Sequence, residues 1–487
     1  MLSWFGTAVP TSLFIILEVI FFLIALVVAP PNRRPSSALA WIVVIVVLPL
    51  VGIALFVLIG SPKLPAGRRA KQQRMSDLIT ETTARAQAER SASEPGWFDW
   101  LVTLNRNTGA FPLVSGNIGR LLPDFPGQID ALVAGIDGAE KFVHVEFYIL
   151  ALDDSTEPVF RALEAAIARG VTVKVLLDHL GSRGYPGYRS ATNELDRIGA
   201  RWRLMLPVQP LRGHYQRPDL RNHRKLVVID GTRGFMGSLN LIDPSYQSRA
   251  NERRGLAWKD LLVEVHGPIV QELQGVFTTD WFSETGELPE TGSLDTDTMT
   301  TSPEAFSAQI TPSGPAYDSE NNLALFTSLL YAAERRVSIT SPYFVPDESL
   351  LAALVTAARR GVEVELFVGE IGDQFFVFHA QHSYYRDLLA AGVRIHLYRA
   401  PTILHAKHMS VDDDVCVVGS SNMDIRSFQL DFEVMMLICG RDFTDRLRAL
   451  EDDYRAASTE LTLADWDGRG RVHAFVDNLA RLTSAVQ

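Results

Sequence analysis

Cysteine is nearly absent from this chain. Among 487 residues only Cys416 and Cys439 occur, both in apolar surroundings, so neither a disulfide framework nor a thiolate metal site is expected and both read as core thiols. Also missing are a G-x4-G-K-[ST] loop, a G-x-G-x-x-G after a strand, and ligand spacings of the H-E-x-x-H or C-x-x-C kind. No nucleotide, dinucleotide or metal cofactor is therefore implied. Positive charge is not in excess: 46 Lys and Arg against 57 Asp and Glu leave a formal −11, which argues against a broad cationic surface wrapped by nucleic acid. With 25 Pro, 34 Gly and 47% hydrophobic residues, the chain is neither disordered nor collagen-like. It is long enough for two sizeable cores and additional segments.

Apolar sequence is concentrated at the start. Leu13 to Ala29 and Leu39 to Gly60 form two runs, with Glu18 their only charge, each near the length needed to cross a hydrocarbon core of about 30 Å. The first eleven residues carry no basic side chain, unlike a secretory signal peptide, and the short link "PPNRRPSSA" joins the runs as a helical hairpin. The second run has no polar face, which disfavours a helix of a soluble core. Residues 1–62 are thus expected to form a transmembrane hairpin. Arg33 and Arg34 lie in the link, whereas Lys63, Arg68, Arg69, Lys71 and Arg74 follow the second run, so the positive-inside bias places the large C-terminal portion in the cytoplasm. The same basic cluster reads equally as a headgroup-attracting patch or as the solvated start of a helix. Residues 63–97 read as a tether.

The remainder is a duplication. The strings "KFVHVEFYIL", "ALEAAIARGVTVKVLLD" and "RNHRKLVVIDGTRGFMGSLN" return in the same order as "RRVSITSPYFVP", "ALVTAARRGVEVELFVG" and "ILHAKHMSVDDDVCVVGSSN". Each half reads strand, helix, strand, then a hairpin, with Gly170 and Gly361 ending the helices before β-branched runs. The expected fold is α/β: two similar halves, 98–284 and 311–487, each a mixed sheet flanked by helices, in pseudo-two-fold arrangement and joined by an acidic, Thr-rich linker over 285–310.

Two spacings coincide residue for residue in the matching hairpins. His223, Lys225 and Asp230 fit H-x-K-x4-D, followed by Gly237, Ser238 and Asn240 as G-S-x-N; His405, Lys407, Asp412, Gly419, Ser420 and Asn422 repeat both. Residues two apart on a strand share a face, so each His stands beside its Lys and each Ser beside its Asn. Imidazole, ammonium, hydroxyl and amide are the groups needed to hold a phosphate's oxygens while its phosphorus is attacked. If the halves pack face to face, two such sets meet across one phosphodiester. Asp230 and Asp412 fall at hairpin turns, where bracing the backbone or the Lys is favoured over proton transfer.

These residues resemble the phospholipase D superfamily and, more narrowly, the bacterial cardiolipin synthases. The resemblance extends from "ALAWIVVIVVLPLVGIALFVLIG" through "VEFYIL", "WKDLLVEVHGP", "SGP" at 313–315, "SPYFVPD" and "LLAAGVRIHLY" to "GSSNMDIRSFQLDFE". Asp431 stands where Asn is expected before "FE", and "GSLN" where a second Gly is common. The resemblance implies a cofactor-free, two-step exchange through a phosphohistidine. One His attacks phosphatidylglycerol while the other protonates the departing glycerol, and a second phosphatidylglycerol then accepts the phosphatidyl group. The products are cardiolipin and glycerol. Lys225 and Lys407 would supply the positive charge that a metal supplies elsewhere, and by analogy with the family His223 is the nucleophile. It further implies a bacterial cell-membrane enzyme acting on anionic lipid and not on nucleic acid; oligomeric state stays open.

Imidazoles working as a pair need carboxylates to fix their tautomers. Glu433, which matches the family position, and Asp260 lie on apolar-flanked strands, where an unpaired carboxylate would be costly. Headgroup contacts are expected from Glu146 and Tyr148, which alternate with His144 on the opening strand, from their counterpart Tyr343, and from Arg221 and Arg426 beside the motifs. The other histidines have no repeated spacing and read as surface or satisfied core. Three competing readings remain: a phospholipase D that transfers to water, a nuclease of the same superfamily, and a membrane-tethered lipid-binding scaffold.

Overall fold

The computed structural model describes residues 11–28, 35–60, 64–83, 94–210, 214–291, 302 and 304–482. Two compact units are distinguished: residues 1–65 with 217–219, and the rest. In the first, helices Thr11–Val28, Pro35–Val47 and Pro49–Ile59 are formed. The second apolar run is not one helix. Pro49 enters at the first position of a new one after Leu48 leaves helical geometry (φ −134°, ψ 70°), because proline has no N–H to give the preceding turn. Among the described residues no helix is long and apolar enough to cross a membrane. The link residues 29–34, with Arg33 and Arg34, lie outside the described residues, as does Lys63.

The second unit is built on a sixteen-stranded sheet. At its middle, Val114–Leu122 and Phe306–Ser313 run antiparallel. Outward on one side come Leu262–His266, Arg233–Gly237, Leu226–Ile229, Phe142–Phe147, Thr172–Asp178 and Arg201–Met205. On the other side come Asp431–Cys439, Val415–Gly419, His408–Val411, Arg336–Thr340, Glu363–Gly369 and Arg394–Tyr398, in the same sequence of roles, with Ser458–Leu461 added at the rim. In both halves the inner pairs are antiparallel and the outer two parallel. The expected linker ends sooner than read from composition, since residues 306–310 already belong to a central strand whose side chains are all buried.

Helices cover both faces, which is why Phe142–Phe147 is buried at every position even though His144 and Glu146 alternate with its apolar residues. One core per half packs Glu157–Ala168 or Glu348–Arg359 onto the sheet. A third core mixes both halves, joining Met236, Phe277 and Trp281 to Phe306, Met436 and Leu447. The stretch expected as a tether is in part a packed helix. Ala66–Thr82 buries Gln72 and Met75, Arg68 pairs with Glu284, and Lys71 Nζ donates to the Ser283 carbonyl at 3.1 Å. Those two cations are therefore partly consumed inside the protein.

Candidate active site

The two motif histidines are held by strands that cross from one half to the other. Arg221–Asn222 pairs in parallel with Asp431–Phe432, and the His223 N–H donates to the Phe432 carbonyl at 2.9 Å. In the mirrored place Ala257–Lys259 pairs in parallel with Thr402–Leu404, and the His405 N–H donates to the Lys259 carbonyl at 2.8 Å. Each ring thereby meets a carboxylate of the opposite half. His223 Nδ1 lies 2.9 and 3.1 Å from the Glu433 oxygens, and His405 Nδ1 lies 2.6 Å from Asp260 Oδ1. Asp260 and Glu433 were legible as partners; the exchange between halves was not, because nothing in a repeat says whether a pair closes within a copy or across two.

The serines brace these carboxylates. Ser420 Oγ donates to Glu433 Oε2 at 2.5 Å and accepts from the Val434 N–H at 3.0 Å; Ser238 Oγ accepts from the Leu261 N–H at 2.9 Å and hydrogen-bonds Asp260. Glycine before each serine permits the approach: a Cβ on Gly237 or Gly419 would stand 2.2 Å from the carbonyl oxygen of Leu261 or Val434. Asn240 and Asn422 follow at the cavity, and both carry a buried Oδ1 without a partner.

Both lysines end away from the cavity, on the backbone of their own histidine. Lys225 Nζ donates to the His223 carbonyl at 2.5 Å and Lys407 Nζ to the His405 carbonyl at 2.6 Å. Burial lowers Lys225 to about 7 and Lys407 to about 8, with opposition from Glu433 and Asp260. Burial likewise lowers both imidazoles. For His223 the effect is reinforced by Lys225, Lys407 and His405; for His405 it is reinforced by Lys407 but opposed by Asp260. The carboxylates diverge. Burial pushes Glu433 up to about 7, whereas at Asp260 the pull of His405 and Lys407 overcomes burial and holds the group below its ordinary value.

Asp230 and Asp412 do not join this site. Asp230 accepts from the N–H groups of Glu140, Lys141 and Phe142 at 2.8 Å, and Asp412 accepts from those of Glu334, Arg335 and Arg336 at 2.7–3.0 Å. Each occupies a left-handed turn position, φ 54° and 47°, and fixes the start of the strand Phe142–Phe147 or Arg336–Thr340. Both carboxylates brace backbone, and neither braces its motif Lys.

His223 and His405 open onto one cavity of about 630 Å³, shared with Tyr148, Tyr343 and Arg426 as expected. Tyr148 meets the His223 ring edge-on at 5.0 Å, and Tyr343 meets His405 at 6.3 Å. Glu146 and Arg221 are not among the lining residues. Glu146 is buried and accepts from Asn222 Nδ2 at 2.8 Å; Arg221 Nη1 donates to Asp178 at 3.0 Å. Lining residues not anticipated include Tyr185, Tyr246 and Trp258 on one side and Asp373, Phe375 and Phe376 on the other, with the carboxylates of Asp424 and Asp431. Tyr185 and Asp373 follow the matching strands Thr172–Asp178 and Glu363–Gly369. The signal that could have found them was their place at equivalent strand ends, where α/β folds bind ligands. Among the described residues, His379, His382 and Asp477 alone form a cluster with metal-ligand geometry. It is not part of the cavity lining, and Arg469 Nη1 donates to Asp477 at 3.0 Å.

Comparison with known proteins fits this arrangement. The family model described as "Cardiolipin synthase, PLD-like domain" matches residues 132–281 and 326–452, and one described as "Phospholipase_D-nuclease N-terminal" matches residues 16–61. Cardiolipin synthase A of Pectobacterium carotovorum is 33% identical over 456 residues, covering 91% of each chain, and that of Serratia proteamaculans is 33% identical over 463 residues at the same coverage. Among solved structures, a phosphatidylserine synthase from Haemophilus influenzae aligns with a TM-score of 0.57 at 14% identity, over 80% of this chain and 100% of its own, a likeness of fold. With its duplicated motif, its shared cavity and these relatives, the chain belongs to the cardiolipin synthase family of phospholipase D-like proteins.

Proposed function

We propose that the protein joins two phosphatidylglycerol molecules into cardiolipin and free glycerol through a phosphatidyl-histidine intermediate. The observation that carries this is the pair of imidazoles opening onto one cavity, each with its Nδ1 held by a carboxylate from the other half. That hydrogen bond leaves Nε2 of each ring for chemistry. His223, the more strongly driven toward the neutral form, suits the nucleophile; His405, beside an ionised Asp260, suits the acid.

In the first step Nε2 of His223 bonds to phosphorus, the bond from phosphorus to the headgroup glycerol oxygen breaks, and His405 gives its proton to that oxygen. In the second, His405 takes the proton from a headgroup hydroxyl of another phosphatidylglycerol, that oxygen attacks phosphorus, and the phosphorus–nitrogen bond breaks. One phosphodiester forms for each one broken, so no nucleotide is required. The unpartnered Oδ1 atoms of Asn240 and Asn422 offer acceptors for headgroup hydroxyls.

The N-terminal apolar runs, Leu13 to Ala29 and Leu39 to Gly60, hold the chain in a bacterial cell membrane as a two-span hairpin, with the catalytic unit on the cytoplasmic side. Reconstitution of the full chain in bilayers of phosphatidylglycerol labelled in its headgroup tests the reaction. Cardiolipin and free glycerol should appear in equal amounts; phosphatidic acid as the dominant product would contradict synthesis.

A further inference from the structure

The C-terminal helix, Arg471–Arg481, turns an apolar stripe outward. Val472, Phe475, Leu479 and Leu482 recur at three- and four-residue intervals on one face and are 74%, 68%, 54% and 79% exposed. The neighbouring face is already used: Asp477 is buried against His379 Nδ1 at 2.7 Å, and Ala480 is buried in the core of the second half. His379 belongs to helix Phe375–Ala391 and lies against the Phe375 ring at 4.4 Å. Phe375 and Phe376 line the catalytic cavity and are themselves 63% and 59% exposed. Two packed helices thus present large apolar side chains to solvent, one of them at the mouth of the cavity.

We infer that the exposed stripe of the C-terminal helix is an interfacial docking face for the lipid bilayer, holding the cavity mouth at the headgroup layer. The inference rests on the proposed reaction for its choice of occupant: substrates with two acyl chains must reach Phe375 and Phe376 from a lipid surface. Isolated apolar residues are ordinary on protein surfaces, but a helix face of four that adjoins the lining of a lipid-processing cavity has the composition of an interfacial helix.

Two readouts on the full chain in phosphatidylglycerol vesicles test this. Cys416 and Cys439 are buried, so an environment-sensitive fluorophore on Phe475→Cys, or on Ala474→Cys a third of a turn away, reports one position. The label at 475 should be quenched by lipids brominated in the acyl chains, and the label at 474 much less. The variant Val472→Glu, Phe475→Glu, Leu479→Glu should lose roughly ten-fold in bilayer turnover while keeping wild-type turnover of short-chain, monomeric phosphatidylglycerol. Equal quenching at both positions, or full bilayer turnover by the triple variant, would overturn the docking face. So would lipid-independent protection of residue 475 that grows with protein concentration, which would assign the stripe to a second copy. Absence of cardiolipin from wild type with either substrate would instead overturn the reaction, and the quenching contrast would still report on docking.

Discussion

His405 faces a carboxylate held ionised, whereas His223 faces one that burial lifts to about 7, although the two stand in matching backbone settings. The duplication supplies geometry twice; the identity of one acid and its neighbours then separates the two rings electrostatically. Pairs of titratable groups pushed apart by their surroundings are how one site holds both a nucleophile and an acid. In the proposed reaction attack falls to the first half and proton donation to the second.

The largest expected break is removal of either ring. His223→Ala and His405→Ala should each lower phosphatidylglycerol turnover by about ten-thousand-fold or more. They should differ with a lipid analogue carrying an activated leaving group that needs no proton: His405→Ala should still release it in a single burst, and His223→Ala should not. Next in size are the carboxylates. Asp260→Asn removes an ionised partner and should cost about a hundred- to thousand-fold in kcat, whereas Glu433→Gln, which replaces a group already near neutrality, should cost about ten-fold.

The pH profile sharpens the same contrast. Glu433 is raised, so it is charged only above about 7; Lys225 and Lys407 are lowered, so they lose their charge as pH climbs through about 7 and about 8. The kcat/KM of the wild type should rise and then fall across this window, as a property of the coupled groups together. Glu433→Gln should erase the acid limb and leave the alkaline one. The smallest effect on chemistry belongs to the motif aspartates. Asp230→Ala and Asp412→Ala each remove the acceptor of three backbone N–H groups and should lower stability by about 1–3 kcal/mol, read as a lower Tm, with KM unchanged.

Much of this site could be read from the chain because the motif is written twice at fixed intervals, and alternation on strands places His beside Lys and Ser beside Asn. That the halves would match element for element followed from the same repetition; the order of strands in the sheet did not. What escaped the sequence was long-range. The partner exchange of Asp260 and Glu433 depends on short strands, Arg221–Asn222 and Ala257–Lys259, that pair with the other half. Alternation placed Glu146 on the same face as Tyr148, yet Glu146 is buried with Asn222 and only Tyr148 reaches the cavity. Arg221, beside the motif histidine, is consumed by Asp178. Tyr185, Tyr246 and Phe375 come from loops and a helix start with no periodicity to mark them.

The most direct test is to quench the wild-type enzyme with denaturant at neutral to mildly alkaline pH, where a phosphorus–nitrogen bond survives, during turnover of phosphatidylglycerol and to locate the bound phosphatidyl group by peptide mass spectrometry. The modification is predicted on His223 alone. Its appearance on His405, or its absence from both rings while cardiolipin accumulates, would contradict the account.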